Sequence, residues 1–382
     1  MNKYLRRFPG VWAVRNNLRS KFFAFFRHLA AIEDSRQIFS SLLHLNNVMS
    51  LPSEMRVIQN NLSPYAELRR ENKITLNQKK DNIIFITGRF RSGSTLLWNI
   101  FRNIPAITSY YEPFNERRWF DPSARGTRVD STHIGVSDYW SEYDGLEILG
   151  DYYDESWICK QLYMSPLAWN PSMQQYIEIM SEKSKGRPVL QFNQIDLRLP
   201  WIRARFPNAK IVHIYRHPRD EWCSTLIDIK KFPKELKIRD FEPLDGFYLL
   251  NWGRDLKHYF PFLTLDKNSH PYELFYQIWK LSYGFGCLYS DVSISMEELL
   301  KKPESIIKNM LDLLLVNDLD LQKLVSLVKP VPVNKWTHYA NHAWFKEIEE
   351  KVDKMFDSYC NCYQSEKELN LCTGKNNYPC AR

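Results

Sequence analysis

The chain has 382 residues, 44% of them hydrophobic and 14% aromatic, which is enough to bury a large core. Its net charge of +8 is moderate and spread along the sequence, which favours anionic partners such as nucleotides, acidic glycans or membrane surfaces and does not imply nucleic acid. It shows no internal repeat, no low-complexity tract and no apolar run long enough to span a membrane.

Residues 1–80 read as an N-terminal extension. Lys3, Arg6, Arg7, Arg15, Arg19, Lys21 and Arg27 all precede the first acid, Glu33, and Phe22, Phe23, Phe25 and Phe26 lie among them. The plainer reading is a helix packed on the domain with a solvated basic side. The alternative is a peripheral contact of residues 1–32 with an anionic membrane, or an organelle transit peptide. A cleavable secretory signal is not expected, because Arg27 and His28 break a short apolar stretch. Residues 34–80 read as helical and polar.

The segment Asp81–Arg102 then reads as strand, turn and helix. Ile83, Ile84, Phe85 and Ile86 suit a strand of a parallel sheet covered on both faces, and Leu96, Leu97, Ile100 and Phe101 recur at helical spacing. Between them, Gly88 and Gly93 bracket a loop holding Arg89, Arg91 and Ser92, with Ser94 and Thr95 opening the helix. A helix N-terminus there makes an anion site. The spacing is that of a nucleotide phosphate loop in which Ser94 replaces the lysine that reaches the β- and γ-phosphates. Such a cradle is poorly suited to ATP hydrolysis and suits a different phosphorylated donor. The plain alternative is an ordinary joint with surface arginines.

Further strands are expected at Ile107–Tyr111, Pro188–Asn193, Lys210–Tyr215 and Val292–Ser295, with helices between them, which indicates βαβ units and a parallel sheet. The expected fold is α/β, a phosphate-loop-like three-layer α/β/α sandwich over residues 81–345, followed by a helix and Cys-containing tail in 346–382. Residues 113–188 form an insertion rich in aromatics, including Trp119, Phe120, Tyr139, Trp140, Tyr143, Tyr152, Tyr153, Trp157 and Trp169. Core packing explains many of these, and aromatics mixed with polar residues also line acceptor pockets. Residues 232–271 form a second variable region.

Arg216-His217-Pro218-Arg219-Asp220 opens a helix, with Trp222, Leu226 and Ile229 expected on its buried face. Ser224 then lies just over a turn in, able to point back toward Arg216 and offer a guanidinium and a hydroxyl to a second phosphate. His213 reads as a core histidine, and Arg219 and Asp220 as surface salt-bridge residues. Cys159, Cys223 and Cys287 read as small core residues. The tail cysteines, Cys360, Cys362, Cys372 and Cys380, match no zinc spacing, and His338 and His342, four apart on one helix, lack a third ligand. No metal is expected.

Two basic sites on one sheet edge point to a donor with two phosphate groups, and here the chain resembles the sulfotransferases that use 3′-phosphoadenosine 5′-phosphosulfate (PAPS). Phe90-Arg91-Ser92-Gly93-Ser94-Thr95 is similar to that family's 5′-phosphosulfate loop, and Arg216–Ser224 to its 3′-phosphate motif. Met296-Glu297-Glu298-Leu299 followed by Pro303 resembles a third stretch, with Met296 in place of a tyrosine. The resemblance covers residues 81–345 and leans toward the bacterial, carbohydrate and tyrosylprotein branches rather than the cytosolic phenol enzymes. It implies in-line sulfuryl transfer from PAPS to an acceptor hydroxyl, most simply of a glycan or other hydroxylated metabolite. Donor contacts would come from Gly88, Arg89, Arg91, Ser92, Gly93, Ser94, Thr95, Arg216 and Ser224. Cytosolic relatives place a histidine base near Phe192-Asn193-Gln194, which holds none here. The tyrosylprotein branch suggests Glu112 as the base, with Glu116 as fallback and a salt bridge to Arg117 as the structural alternative. The enzyme is expected in the cytoplasm or at a membrane periphery, with its oligomeric state open. The rivals are a small-molecule kinase with Arg91 in the lysine's role and a non-catalytic nucleotide-binding protein.

Overall fold

Alternation decides how the central strand is used. The computed structural model describes residues 82–372 apart from 227 and 317–319, with side chains described as far as 359. The basic N-terminal segment, the polar stretch after it and the side chains of the tail cysteines lie outside those described. In β1 (Ile84–Thr87) every residue is buried. Ile84 and Ile86 enter one core with Leu97, Ile100 and Phe101, while Ile83 and Phe85 enter another with the aromatic insertion. Successive side chains point to opposite faces, so a strand apolar throughout needs cover on both.

The chain continues through α1 (Ser94–Arg102), β2 (Ile107–Tyr111) and a long insertion of turns to α2 (Pro171–Lys183). Asn170 caps α2, its side chain accepting from the Met173 amide, and Pro171 takes the first helical position. Next come β3 (Arg187–Phe192), α3 (Leu199–Arg205), β4 (Lys210–Tyr215), α4 (Pro218–Thr225), α5 (Ile238–Phe241), α6 (Leu249–Leu256), α7 (Pro271–Tyr289) and β5 (Val292–Ser295). The last helices are α8 (Met296–Lys301), α9 (Pro303–Leu313), α10 (Leu321–Ser326) and α11 (His342–Cys372).

The five strands are all parallel, in the order β2-β3-β1-β4-β5. Helices α1 and α9 cover one face, and α2 and α3 the other. The chain leaves β1 toward one side for β2 and β3 and toward the other for β4 and β5. That reversal places a crevice at the carboxyl ends, where such sheets bind ligands. No helix among the described residues is long and apolar enough to cross a membrane.

Several expectations are corrected. Helix α4 stops at Thr225, whose hydroxyl donates to the Trp222 carbonyl at 2.7 Å, and Leu226 is extended. Ile229 therefore sits in a separate turn, 38% exposed, and not on a buried helical face. Helices α8 and α9 are separated at Lys302, because Pro303 cannot continue the first. His338 ends a short 3₁₀ turn and His342 begins α11, so the two do not share a helix face. Arg219 and Asp220 are buried. Of the inner cysteines only Cys223 is buried; Cys159 and Cys287 are half-buried. His213 is a core residue, its Nδ1 2.7 Å from Ser293 Oγ.

Most of the aromatic insertion is core: Trp119, Phe120, Tyr139, Tyr143 and Trp157 are buried, whereas Trp169 is 77% exposed. A buried arginine holds its inner end. Arg198 donates to the carbonyls of Gln161, Gln194, Trp157 and Lys160 at 2.7–3.0 Å. Burial lowers its pKa to about 10. Arg198→Met would leave four carbonyls without their donor, so a loss of about 3 kcal/mol or more is expected. Urea denaturation checks it; an unchanged midpoint contradicts this role.

Candidate functional site

The residues just beyond the strands, Gly88, Glu112, Asn193, Arg216 and Met296, line one edge of the sheet. At Gly88 a Cβ would lie 2.5 Å from the Ile214 carbonyl oxygen, so only glycine lets β1 end this close to β4. Gly93 has φ +101°, and a Cβ there would lie 2.5 Å from Met296 Sδ. Gly93 also occupies the N-cap of α1, which receives no side-chain cap. Beside it, the Ser92 hydroxyl is buried with no hydrogen-bond partner. An uncapped helix start with an orphaned hydroxyl matches the needs of a phosphate or sulfate. Arg91 reaches across this loop, φ 70°, its guanidinium partly exposed, with Nη1 3.8 Å from Asp130 Oδ2 and 3.4 Å from Thr132 Oγ1.

Arg216 supplies the second cation. Its Nη1 donates to Ser224 Oγ at 2.9 Å and approaches the Arg91 carbonyl at 3.5 Å, while Nη2 donates to the Pro332 carbonyl at 3.2 Å. Asp220 accepts from the Asn334 amide at 2.7 Å, and Arg219 pairs with Glu349 at 2.6 Å, so α4 fixes the start of the C-terminal segment. That holds Lys335 over the site. Its pKa is lowered by desolvation and by the nearby positive charges of Arg216 and Arg91. Lys335 is a third cation that sequence reasoning missed. It lies more than 100 residues from Arg216, and the only hint was a lone lysine after a proline-rich stretch.

A hydrogen-bonded chain connects the loop to an acid. Ser94 Oγ donates to Asn193 Oδ1 at 3.0 Å, and Asn193 Nδ2 donates to Glu112 Oε1. Asn115 Nδ2 holds the other oxygen at 2.7 Å. Glu112 is 5% exposed, with φ 38°, a strained backbone that fixes the carboxylate. Burial raises its pKa from 4.5 to about 7 against the pull of these amides. Arg117 does not pair with it; its guanidinium donates to the Arg128 carbonyl and lies over Trp119. Glu116 is exposed. Asn193 and Asn115, the residues that orient Glu112, carried no sequence signal beyond their types. Thr95 Oγ1 is 3.4 Å from the Tyr111 hydroxyl, and Tyr111 stacks on Tyr139 at 4.4 Å, both rings buried in the core beneath the site.

Arg89 departs from its expected place among the donor contacts. Its guanidinium is buried over Trp252 and Phe275, and its Nε lies 3.5 Å from Glu221 Oε1. Burial holds the Glu221 carboxyl above its ordinary value, to about 8, against the nearby charges of Arg89 and Arg216. Among the described residues no group of three metal-binding side chains comes together.

The fold and site define a parallel α/β protein with two adjoining cationic sites at its sheet edge. A family model described as "Sulfotransferase family" matches residues 83–276, just over half of the chain, and the chain belongs to that family. Among solved structures, it is similar to the sulfotransferase domain from the curacin biosynthetic pathway, at 14% identity over 74% of this chain and 99% of that one, TM-score 0.36. The sulfotransferase domain of the Synechococcus PCC 7002 olefin synthase matches at 15% identity over 75% and 98%, TM-score 0.36. A sulfotransferase from Alicyclobacillus acidocaldarius matches at 15% over 74% and 96%, TM-score 0.34. No curated protein matches the chain.

The Glu112 proton is also linked to stability. Its folded pKa of about 7 lies above the ordinary 4.5, so the stability it contributes is complete below pH 4.5 and is lost as pH rises through 7. The loss is on the order of 3 kcal/mol. Glu112→Gln should therefore flatten the decline in melting temperature between pH 5 and 8. A variant that declines in parallel with the wild type would show that Glu112 titrates elsewhere.

Proposed function

We propose that the chain transfers a sulfuryl group from PAPS to an acceptor hydroxyl. The observation that carries this reading is the contact of Arg216 with both Ser224 Oγ and the Arg91 carbonyl, which sets two cationic anion sites side by side. PAPS supplies an activated sulfuryl group on a phosphate leaving group, with a second phosphate on the ribose. Arg216, Ser224 and Lys335 hold that second phosphate. Ser92, Ser94, Thr95 and the loop amides, brought close by Gly88 and Gly93, hold the 5′ end. Arg91 meets the negative charge that grows on the leaving phosphate. Sulfuryl transfer is in-line and loose, as phosphoryl transfer is, so positioning and charge dominate.

Glu112 takes the acceptor proton as the new oxygen–sulfur bond forms and the sulfur–oxygen bond to the phosphate breaks. A base with a pKa near 7 suits this step. The Asn193 and Asn115 amides aim its carboxylate, and Glu116, exposed, is the weaker candidate. The acceptor in this reading is a glycan or other hydroxylated metabolite, as in the bacterial, carbohydrate and tyrosylprotein branches.

Calorimetry with adenosine 3′,5′-bisphosphate tests the donor. Tight binding of Mg-ATP with none of the bisphosphate would replace this reading with the kinase. Arg91→Ala should lower kcat by about 10²–10³. Arg216→Ala should lose the preference for PAPS over adenosine 5′-phosphosulfate.

Wild-type kcat/KM should rise with pH and level off above about 7 as Glu112 loses its proton. Glu112→Gln should be about 10²–10⁴ slower, with that limb absent and bisphosphate affinity kept. Wild-type turnover in this variant removes Glu112 from the mechanism.

A further inference from the structure

We propose that Arg89 and Glu221 are positioning residues: a buried brace that fixes the spacing of the two anion sites and so makes the protein prefer a ligand phosphorylated at both ends. This rests on the two-site reading above and adds to it a pair that touches neither phosphate. Arg89 lies in the first loop, two residues before Arg91. Glu221 lies on α4, three residues before Ser224, and therefore on a neighbouring part of the same helix face. The brace thus runs from the loop that would hold the 5′ end to the helix that would hold the 3′-phosphate.

Both side chains are more than nine-tenths buried, at 7% and 1% exposure. Arg89 Nε and Glu221 Oε1 face each other at 3.5 Å, and neither atom has a hydrogen bond. Above about pH 8, where Glu221 is ionised, the buried guanidinium and carboxylate face each other as opposite charges, with Arg216 and Asp196 the other charged groups nearby. Trp252 and Phe275 hold the guanidinium in place at 5.1 and 5.5 Å from their ring centres. The loop cannot drift from α4 without separating two charges out of reach of water. Arg216 also reaches from the second site to the Arg91 carbonyl, but at a long 3.5 Å. Uniform destabilisation would lower the melting temperature alone. A brace acts on the ratio of affinities for doubly and singly phosphorylated ligands, since only the former spans both sites.

The test compares dissociation constants for adenosine 3′,5′-bisphosphate and adenosine 5′-monophosphate in the full chain at pH 9, above the Glu221 value of about 8, with thermal melting alongside. The near-isosteric Glu221→Gln and the charge-keeping Arg89→Lys, which lacks the Nε atom, are both mild enough to fold. Each should cut the wild-type preference for the bisphosphate by about tenfold, mostly through the bisphosphate. The double variant should lose no more than either single, the signature of one shared interaction. Should one variant not fold, the other reads the same ratio. A folded variant that keeps the wild-type ratio within about twofold, or losses that add in the double variant, overturns the brace. A wild type without any preference for the bisphosphate removes the two-site reading, and the brace with it, before any variant is measured.

Discussion

The close approach of β1 to β4 at Gly88 is the constraint on which the site depends. With a Cβ 2.5 Å from the Ile214 carbonyl oxygen, any other residue would push the loop outward or wedge the two strands apart. Gly93 repeats the demand one turn later, against Met296 at the end of β5. One contact with backbone and one with a side chain therefore press the loop onto the ends of β4 and β5. Arg216, the first residue after β4, can then touch the Arg91 carbonyl. Side chains from residues 91, 216 and 335 reach one place because the backbone beneath them has no side chain in the way. Met296, which stands where the family resemblance has a tyrosine, packs on Gly93 and takes part in the same contact.

The central strand was legible because Ile83–Ile86 is a short, continuous apolar run, and such runs in a parallel sheet carry their own signature. Arg216 and Ser224 were legible as a pair because an eight-residue helix keeps their spacing almost rigid, and the structure joins them at 2.9 Å. Arg89 was misread for a physical reason. From sequence it is a basic residue in an anion-binding loop, and nothing local reveals that Glu221, 132 positions away, buries beside it. Lys335 was missed for the converse reason, since its place depends on Asp220 holding the Asn334 amide. The end of α4 turned on a threonine hydroxyl bonding back to its own helix, which propensity alone does not foresee. Long-range pairing of polar groups, invisible to periodicity, accounts for the first two, and a local hydroxyl bond for the third.

The strand order matters to the chemistry as well as to the shape. Because β3 lies between β2 and β1, Asn193 at its end sits between Glu112 and Ser94 and can bond to both. Were β2 and β1 adjacent, the acid would abut the cationic loop directly. Asn193 is a neutral spacer that passes orientation and carries no charge. The family's cytosolic members are implied to use a histidine near this position, and here an amide stands there with the acid one strand away.

That separation decides what kind of acid Glu112 is. A carboxylate beside an arginine is held well below the usual range and makes a poor base at neutral pH. Among the described residues Glu112 has no ion pair; its partners are two amides and the Tyr111 hydroxyl, so desolvation prevails and the pKa rises to about 7. The cations stand on the far side of Asn193, where charge would develop on a leaving phosphate. One edge of the sheet thus holds two environments, one that raises proton affinity and one that stabilises anions, and pushing such groups apart is how acid–base roles are assigned within a single cleft. An ion pair from Arg117 to Glu112 would stabilise the fold above neutral pH and, in the proposed mechanism, disable the base. In the proposed mechanism the site accepts a less stable carboxylate because only an unpaired one can take the proton.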